Sequence, residues 1–130
     1  MKRALEGSLG VNEKMTDLEC PRPSCGFLTT GSEYFGSYNI CPICGWEDDG
    51  VQLANPASGG GANSTSLIEC QEEILNEFPI EIQQHGLYNR DPKWRPLNEN
   101  EKNVAKRERE DRHWKNKAVL YYHEAYWMRD

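Results

Sequence analysis

Four cysteines in the first third of the chain lie in two close pairs, a spacing typical of metal binding. The first pair is Cys20 and Cys25, and the second is Cys41 and Cys44. Each pair allows a tight turn to aim two thiolates at one ion, and residues 26–40 are long enough to form a hairpin that joins the pairs. The spacing therefore predicts one closed, four-thiolate site with these four cysteines as ligands.

A glycine follows each cysteine pair, which supports the same site. Gly26 and Gly45 stand where a knuckle turn needs a positive φ and amides directed at sulfur. Zn²⁺ is favoured over iron, although both ions accept tetrahedral thiolate sites. A closed site leaves no open coordination position, so the predicted cofactor is one structural zinc ion rather than a catalytic one.

No other residues form a recognisable catalytic pattern. His85, His113 and His123 are scattered and have no carboxylate or cysteine at a metal-site or triad spacing. The chain has no nucleophile elbow, P-loop or dinucleotide-binding fingerprint. The sequence therefore predicts a protein that is not an enzyme.

Acidic residues dominate the front of this 130-residue chain, whose formal net charge is −6. Residues 1–98 carry 7 basic and 14 acidic side chains, a balance of −7, whereas residues 99–130 carry 8 and 7, a balance of +1. This distribution makes a nucleic-acid partner unlikely and favours a basic protein partner, or solubility alone. The expected contact residues are Glu47, Asp48, Asp49, Glu69, Glu72 and Glu73.

The chain shows neither an export signal nor a membrane span. Residues 1–7 contain no apolar stretch, and the longest apolar run, Ala118–Tyr122, is far too short to cross a bilayer. Paired cysteines without an export signal are typical of reduced, metal-bound thiols. A cytoplasmic location and no membrane partner are therefore expected.

The pattern along the chain predicts one compact domain of the α+β class. Residues 1–17 are expected to be flexible, and 18–53 to form a zinc-ribbon module of short β-hairpins. Residues 54–65 form a glycine-rich loop, and 66–130 a helical part packed on the module.

A short helix should begin at Ser66, which forms a capping box with Glu69, and end before Pro79. Cys70 lies on its apolar face and is interpreted as a buried small hydrophobe, a reactive thiol being the alternative.

A long C-terminal helix is predicted from about Asn98 to the end of the chain, because no Gly or Pro interrupts it. Its second half carries one apolar stripe: Trp114, Ala118, Tyr121, Ala125 and Met128. This stripe is expected to pack on residues 67–78.

The cysteine segments resemble the bacterial cysteine-rich CPCC family. The resemblance is carried by Cys20-Pro21, by residues 25–29 (Cys-Gly-Phe-Leu-Thr) and by residues 40–50 (Ile-Cys-Pro-Ile-Cys-Gly-Trp-Glu-Asp-Asp-Gly). It continues through Asn63 and the segment after Ser66 to about residue 80. The first motif departs from the family pattern: Arg22-Pro23 look inserted, and Ser24 stands where a middle cysteine would be. The resemblance implies metal binding and, for some members, immunity against polymorphic toxins.

The leading hypothesis is a cytoplasmic, non-enzymatic zinc-binding protein that blocks a basic toxin domain through its acidic surface. One alternative is a zinc-ribbon nucleic-acid or transcription-associated module. A further alternative is a thiol or iron redox protein.

Overall fold

A computed structural model of the chain describes residues 19–30, 35–110 and 117–128. In chain order the strands are β1 (Glu19–Pro21), β2 (Leu28–Thr30), β3 (Gln84–His85) and β4 (Tyr88–Asn89), and the helices are α1 (Gly50–Ala54), α2 (Leu67–Glu77) and α3 (Glu99–Glu110). Two short hairpins and three helices confirm the predicted α+β class. The predicted flexible segment 1–17 lies outside the described residues.

The first hairpin pairs β1 with β2 in antiparallel register. Cys20 faces Thr29 across the pair, and Pro21 faces Leu28. The turn between the strands contains Cys25, so this hairpin presents the first cysteine pair on one short structure. The hairpin predicted within residues 26–40 is not the one observed, because β2 pairs with β1 and Ile40 bridges to Glu47.

Helix α1 comes directly after the second cysteine pair and was not predicted. The Asp49 carboxylate caps it by accepting hydrogen bonds from the Val51 and Gln52 amides, at 2.9 and 3.1 Å. The same carboxylate accepts the amide of Ala62 at 2.9 Å, and the Gln52 side chain accepts the amide of Asn63 at 2.9 Å. The side chains of Asp49 and Gln52 therefore hold the glycine-rich loop against the metal module.

Helix α2 has the predicted start and end. Ser66 and Glu69 form the reciprocal capping box, with N···O distances of 2.9 and 3.2 Å, and Phe78 is the C-terminal cap before Pro79. Its inner face buries Leu67, Ile68, Cys70, Gln71 and Ile74. The local signals of capping and periodicity were sufficient here because they agree with each other.

The second hairpin, formed by β3 and β4, lies between α2 and α3. The buried Arg90 next to it donates hydrogen bonds to four backbone carbonyls, those of Cys25, Phe78, Pro79 and Ile82, at 2.7–3.0 Å. An antiparallel bridge also joins Phe27 to Arg90. This side chain therefore ties the end of α2 and the second hairpin to the cysteine-bearing turn.

The prediction of one helix that continues to the end of the chain is wrong, because the described residues from 117 onward do not continue α3 (Glu99–Glu110). Residues 117–121 are not helical, and two short 3₁₀ turns follow at Tyr122–Glu124 and Tyr126–Met128. The physical reason is that this backbone bonds to distant segments instead of to itself. The Val119 amide donates to the Gly50 carbonyl at 2.9 Å, and the Leu120 carbonyl accepts the Phe35 amide at 2.7 Å.

The aromatic end of the chain still packs into the protein's own core, as expected. Ala125, Tyr126 and Trp127 are buried, whereas Ala118 and Tyr121 are exposed, so the predicted single stripe does not exist. Trp114 lies outside the described residues. The Tyr126 hydroxyl donates to the Arg95 carbonyl at 2.6 Å and accepts from the Gln71 side chain at 2.9 Å.

Among the residues described, no helix combines the length and the apolar character needed to cross a lipid bilayer.

Candidate metal centre

The second cysteine pair lies in a tight turn, residues 40–47, which we call the second knuckle. The Cys41 amide donates to the Trp46 carbonyl, and the Gly45 amide donates to the Cys41 carbonyl, both at 2.9 Å. An antiparallel bridge pairs its first and last residues. The amide of Ile43 lies 3.4 Å from the sulfur of Cys41 and donates to it. This geometry holds both cysteines on one side of a compact loop.

Residues 21–28, which we call the first knuckle, repeat this backbone pattern. The Arg22 amide donates to the Phe27 carbonyl at 3.1 Å, and the Gly26 amide donates to the Arg22 carbonyl at 2.7 Å. Strand pairing again joins the first and last residues of the turn. The two knuckles are therefore equivalent in their backbone hydrogen bonds.

This equivalence changes the interpretation of the first cysteine pair. Cys25 takes the place of Cys44, and Arg22 takes the place of Cys41, because the same amides and carbonyls are paired in both turns. Cys20 precedes the first knuckle and lies in β1. The equivalence of Arg22 and Cys41 could have been found in the sequence, by aligning Arg-Pro-Ser-Cys-Gly-Phe (22–27) with Cys-Pro-Ile-Cys-Gly-Trp (41–46).

The glycine of each knuckle has the predicted positive φ. Gly26 and Gly45 both have a φ of 79°, a conformation that side chains other than glycine adopt at a cost. Gly26 is also packed closely, since a Cβ there would lie 2.4 Å from the ring of Trp94. Glycine is required at the first knuckle for both reasons.

The structure brings three of the four predicted ligands together. The sulfur atoms of Cys25, Cys41 and Cys44 all lie within 4.8 Å of one another, and those of Cys25 and Cys41 are 3.8 Å apart. A tetrahedral zinc site with Zn–S bonds of ~2.3 Å needs sulfur atoms about 3.8 Å apart. The three thiols therefore fit three corners of such a site, at the junction of the two knuckles.

Crowding of these thiols perturbs their protonation. Hydrogen bonds to Cys41 and Cys44, together with the smaller effect of burial, raise the pKa of the Cys25 thiol well above its usual value. Hydrogen bonds from Cys25 and Cys41 lower the pKa of Cys44. A divalent ion between the sulfurs would stabilise all of them as thiolates.

Cys20, the fourth predicted ligand, lies outside this group of three. It is buried in β1 opposite Thr29. Burial and a hydrogen bond to Asp91 raise the pKa of Tyr122, in the C-terminal segment, to about 12, and Cys20 makes a smaller contribution. Its role as a ligand therefore stays a prediction.

Cys70 lies beside the cluster, and its position was not foreseen. It is buried on α2, as expected for a small hydrophobe, but the neighbouring Cys44 thiol lowers the pKa of Cys70. Cys44 and Cys70 also line one cavity of about 340 Å³. The Ser24 hydroxyl lies 2.7 Å from the Cys44 sulfur. Helical periodicity could indicate that Cys70 is buried but could not reveal what it touches.

The predicted acidic contact surface is smaller in the structure. Asp48 and Asp49 are buried, and each has a structural role. Asp48 accepts the amide and the hydroxyl of Ser37 at 3.0 and 2.7 Å, while Asp49 caps α1. Their assignment as exposed partner contacts is therefore wrong, because both carboxylates are taken up by backbone amides or hydroxyls inside the protein.

The other four acidic residues remain on the surface or near it. Glu69, Glu72 and Glu73 are exposed on α2, and Glu47 is half-buried. Glu72 lies 3.6 Å from Lys102, an ion pair in solvent that contributes little stability. Glu47 and Glu73 line the cavity that Cys44 and Cys70 share.

The fold and the thiol cluster define a small α+β protein with paired knuckles and a candidate metal centre. The chain belongs to the family described as cysteine-rich CPCC, whose model matches residues 18–90. The match extends beyond the predicted limit near residue 80 and includes the second hairpin. No curated protein matches the sequence.

Proposed function

We propose that this chain is a non-enzymatic protein in which one structural zinc ion locks the fold. The proposal rests on one observation: three crowded thiols, Cys25, Cys41 and Cys44, converge where the two knuckles meet. Zinc is preferred to iron because zinc is the usual ion of structural thiolate sites and has no redox chemistry of its own.

The ion would act as a cross-link between segments that have little regular structure. The two strands of the first hairpin have three residues each, and the second knuckle is closed by a single bridge. Binding of structural zinc contributes ~10–16 kcal/mol in small modules, which exceeds the net stability of many domains. In a chain with a mean hydropathy of −0.84, this contribution supplements a small apolar core.

Metal analysis of freshly purified, reduced protein tests this proposal. We expect about one equivalent of zinc, and a chelator should remove it together with the tertiary structure. Restoring zinc, but not magnesium, should restore the near-UV circular dichroism signal. Less than about half an equivalent of zinc or iron in reduced protein would reject the one-ion site.

We further propose that the protein binds a protein partner, a basic bacterial toxin domain, in the cytoplasm. The support is the excess of acidic side chains in residues 1–98, of which Glu69, Glu72 and Glu73 are exposed together on α2. The resemblance to the CPCC family points the same way. Acidic side chains at such a surface would steer a basic partner and hold it in register.

Co-expression with the toxin encoded beside this gene tests the partner. Glu72→Gln with Glu73→Gln should weaken the complex, and binding of the parent protein should fall as salt rises. Glu77→Gln with Glu81→Gln removes the same charge from other exposed positions and should leave binding unchanged. Failure of the parent chain to protect growth or to form a complex would reject immunity but not zinc binding.

A further inference from the structure

Within residues 19–30, 35–110 and 117–128, the group of clustered thiols has three members, whereas a closed zinc site requires four ligands. By the equivalence of the knuckles, the fourth ligand should stand at position 22, as Cys41 does in the second knuckle. Position 22 holds an arginine, whose guanidinium group offers only N–H donors and no lone pair for a metal. The first knuckle therefore supplies one ligand where the second supplies two.

We propose that Cys70 supplies the fourth thiolate of the zinc site, from helix α2 instead of from the first knuckle. The inference rests on the metal binding proposed above. Its basis is position, since Cys70 lines the same cavity as Cys44, a member of the cluster.

Hydrogen bonds from neighbouring residues fix α2 at this position. The Gln71 side chain donates to the Pro23 carbonyl in the first knuckle at 2.8 Å, and its oxygen accepts the Leu97 amide at 3.0 Å. Ser24, the next residue of that knuckle, lies against the Cys44 sulfur. The turn of α2 that carries Cys70 is thus attached to the knuckle beside the cluster.

The Cys70 sulfur must move to complete the site, because it lies outside the group whose sulfurs are all within 4.8 Å of one another. One side-chain dihedral places a cysteine sulfur, and its staggered positions are about 120° apart. The proposal therefore includes a rotamer change of Cys70 when the ion binds. Cys20, by contrast, lies in β1, where it pairs with Thr29 of β2. It is therefore outside the turn that presents Cys25.

Matched single variants distinguish the two cysteines. In zinc competition with a chromophoric chelator, Cys70→Ser should weaken affinity by more than about 100-fold, since loss of an outer-shell partner alone costs about 10–100-fold. Cys20→Ser should bind zinc like the parent protein. The Co²⁺-loaded parent should show the sulfur-to-metal charge transfer of four thiolates, which Cys70→Ser should reduce and Cys20→Ser should not.

Alkylation of the parent protein gives a second measurement that needs no variant. Zinc should protect Cys70 from alkylation together with Cys25, Cys41 and Cys44, and the protection should end when the metal is chelated. If zinc protected Cys20 instead, or if Cys70→Ser bound zinc like the parent, the proposal would be overturned. Absence of zinc from the parent protein would reject the metal site itself, which is a separate result.

Discussion

The two knuckles share one backbone and differ in the ligands that they offer a metal. Both close through the same pair of amide-to-carbonyl bonds, and both turn on a glycine with a φ of 79°. Both also bury an aromatic side chain after the glycine, Phe27 in the first and Trp46 in the second. The second knuckle holds two cysteines, whereas the first holds Cys25 and an arginine. A knuckle is therefore a property of backbone bonding, which persists when one ligand is replaced.

The largest expected effect comes from removing one of the three clustered thiols. Cys41→Ser or Cys25→Ser should lose the metal and unfold the segments around both knuckles, because zinc binding of ~10–16 kcal/mol is comparable to the whole stability of a small domain. Zinc content and thermal melting by circular dichroism measure the effect. Retention of a full equivalent of zinc by Cys25→Ser would show that the first knuckle contributes nothing to the site.

The second largest effect should come from the aromatic residues that the knuckles share. Phe27 is fully buried and Trp46 is 1% exposed, so Phe27→Ala and Trp46→Ala should each cost ~3–5 kcal/mol of unfolding free energy. Urea unfolding of the zinc-loaded protein measures both. Trp46 Nε1 has no hydrogen-bond partner among the described residues, so Trp46→Phe is a control that removes no bond. A cost below about 1 kcal/mol at only one position would show that the two turns are not packed equivalently.

The accuracy of the sequence-based predictions depends on how local each signal is. The capping box at Ser66 and the glycines of the knuckles were predictable because the residues that determine them are within a few positions of one another. The prediction of the C-terminal helix failed because Val119 and Leu120 bond to Gly50 and Phe35, contacts that no local pattern contains.

The candidate metal site was partly predictable for a related reason. Spacing identified Cys25, Cys41 and Cys44, but counting cysteines could not show that Arg22, and not Cys20, occupies the position equivalent to Cys41. Cys70 was placed correctly on the buried face of its helix. Its place beside Cys44, on the same cavity, depends on how α2 docks on the first knuckle, which is a tertiary property.

A third, smaller effect would test the equivalence of positions 22 and 41 directly. Arg22→Cys would place a thiol where the second knuckle has Cys41. In a Cys70→Ser background it should recover zinc affinity by about 100-fold, or about 2.7 kcal/mol at about 1.4 kcal/mol per tenfold. Arg22→Ser in the same background is the matched control and should recover nothing. Equal zinc affinity of the two double variants would disprove the equivalence.

The smallest effect concerns the element that begins after each knuckle. The first knuckle leads into β2, whereas the second leads into α1, whose N-terminus is capped by Asp49. Asp49→Ala removes a carboxylate that accepts amide hydrogen bonds from α1 and from the glycine-rich loop, so it should cost ~1–2 kcal/mol in urea unfolding.

Glu73→Ala removes the same charge from an exposed position on α2 and should change stability by no more than ~0.5 kcal/mol. Comparing these two variants distinguishes acidic residues that stabilise the fold from those that could bind a partner, because Asp49 is buried and Glu73 is exposed. If Asp49→Ala kept full stability and weakened only the binding of a partner, Asp49 would belong to the recognition surface. The second knuckle would then differ from the first because a partner-binding residue follows it, and not only because it leads into a helix.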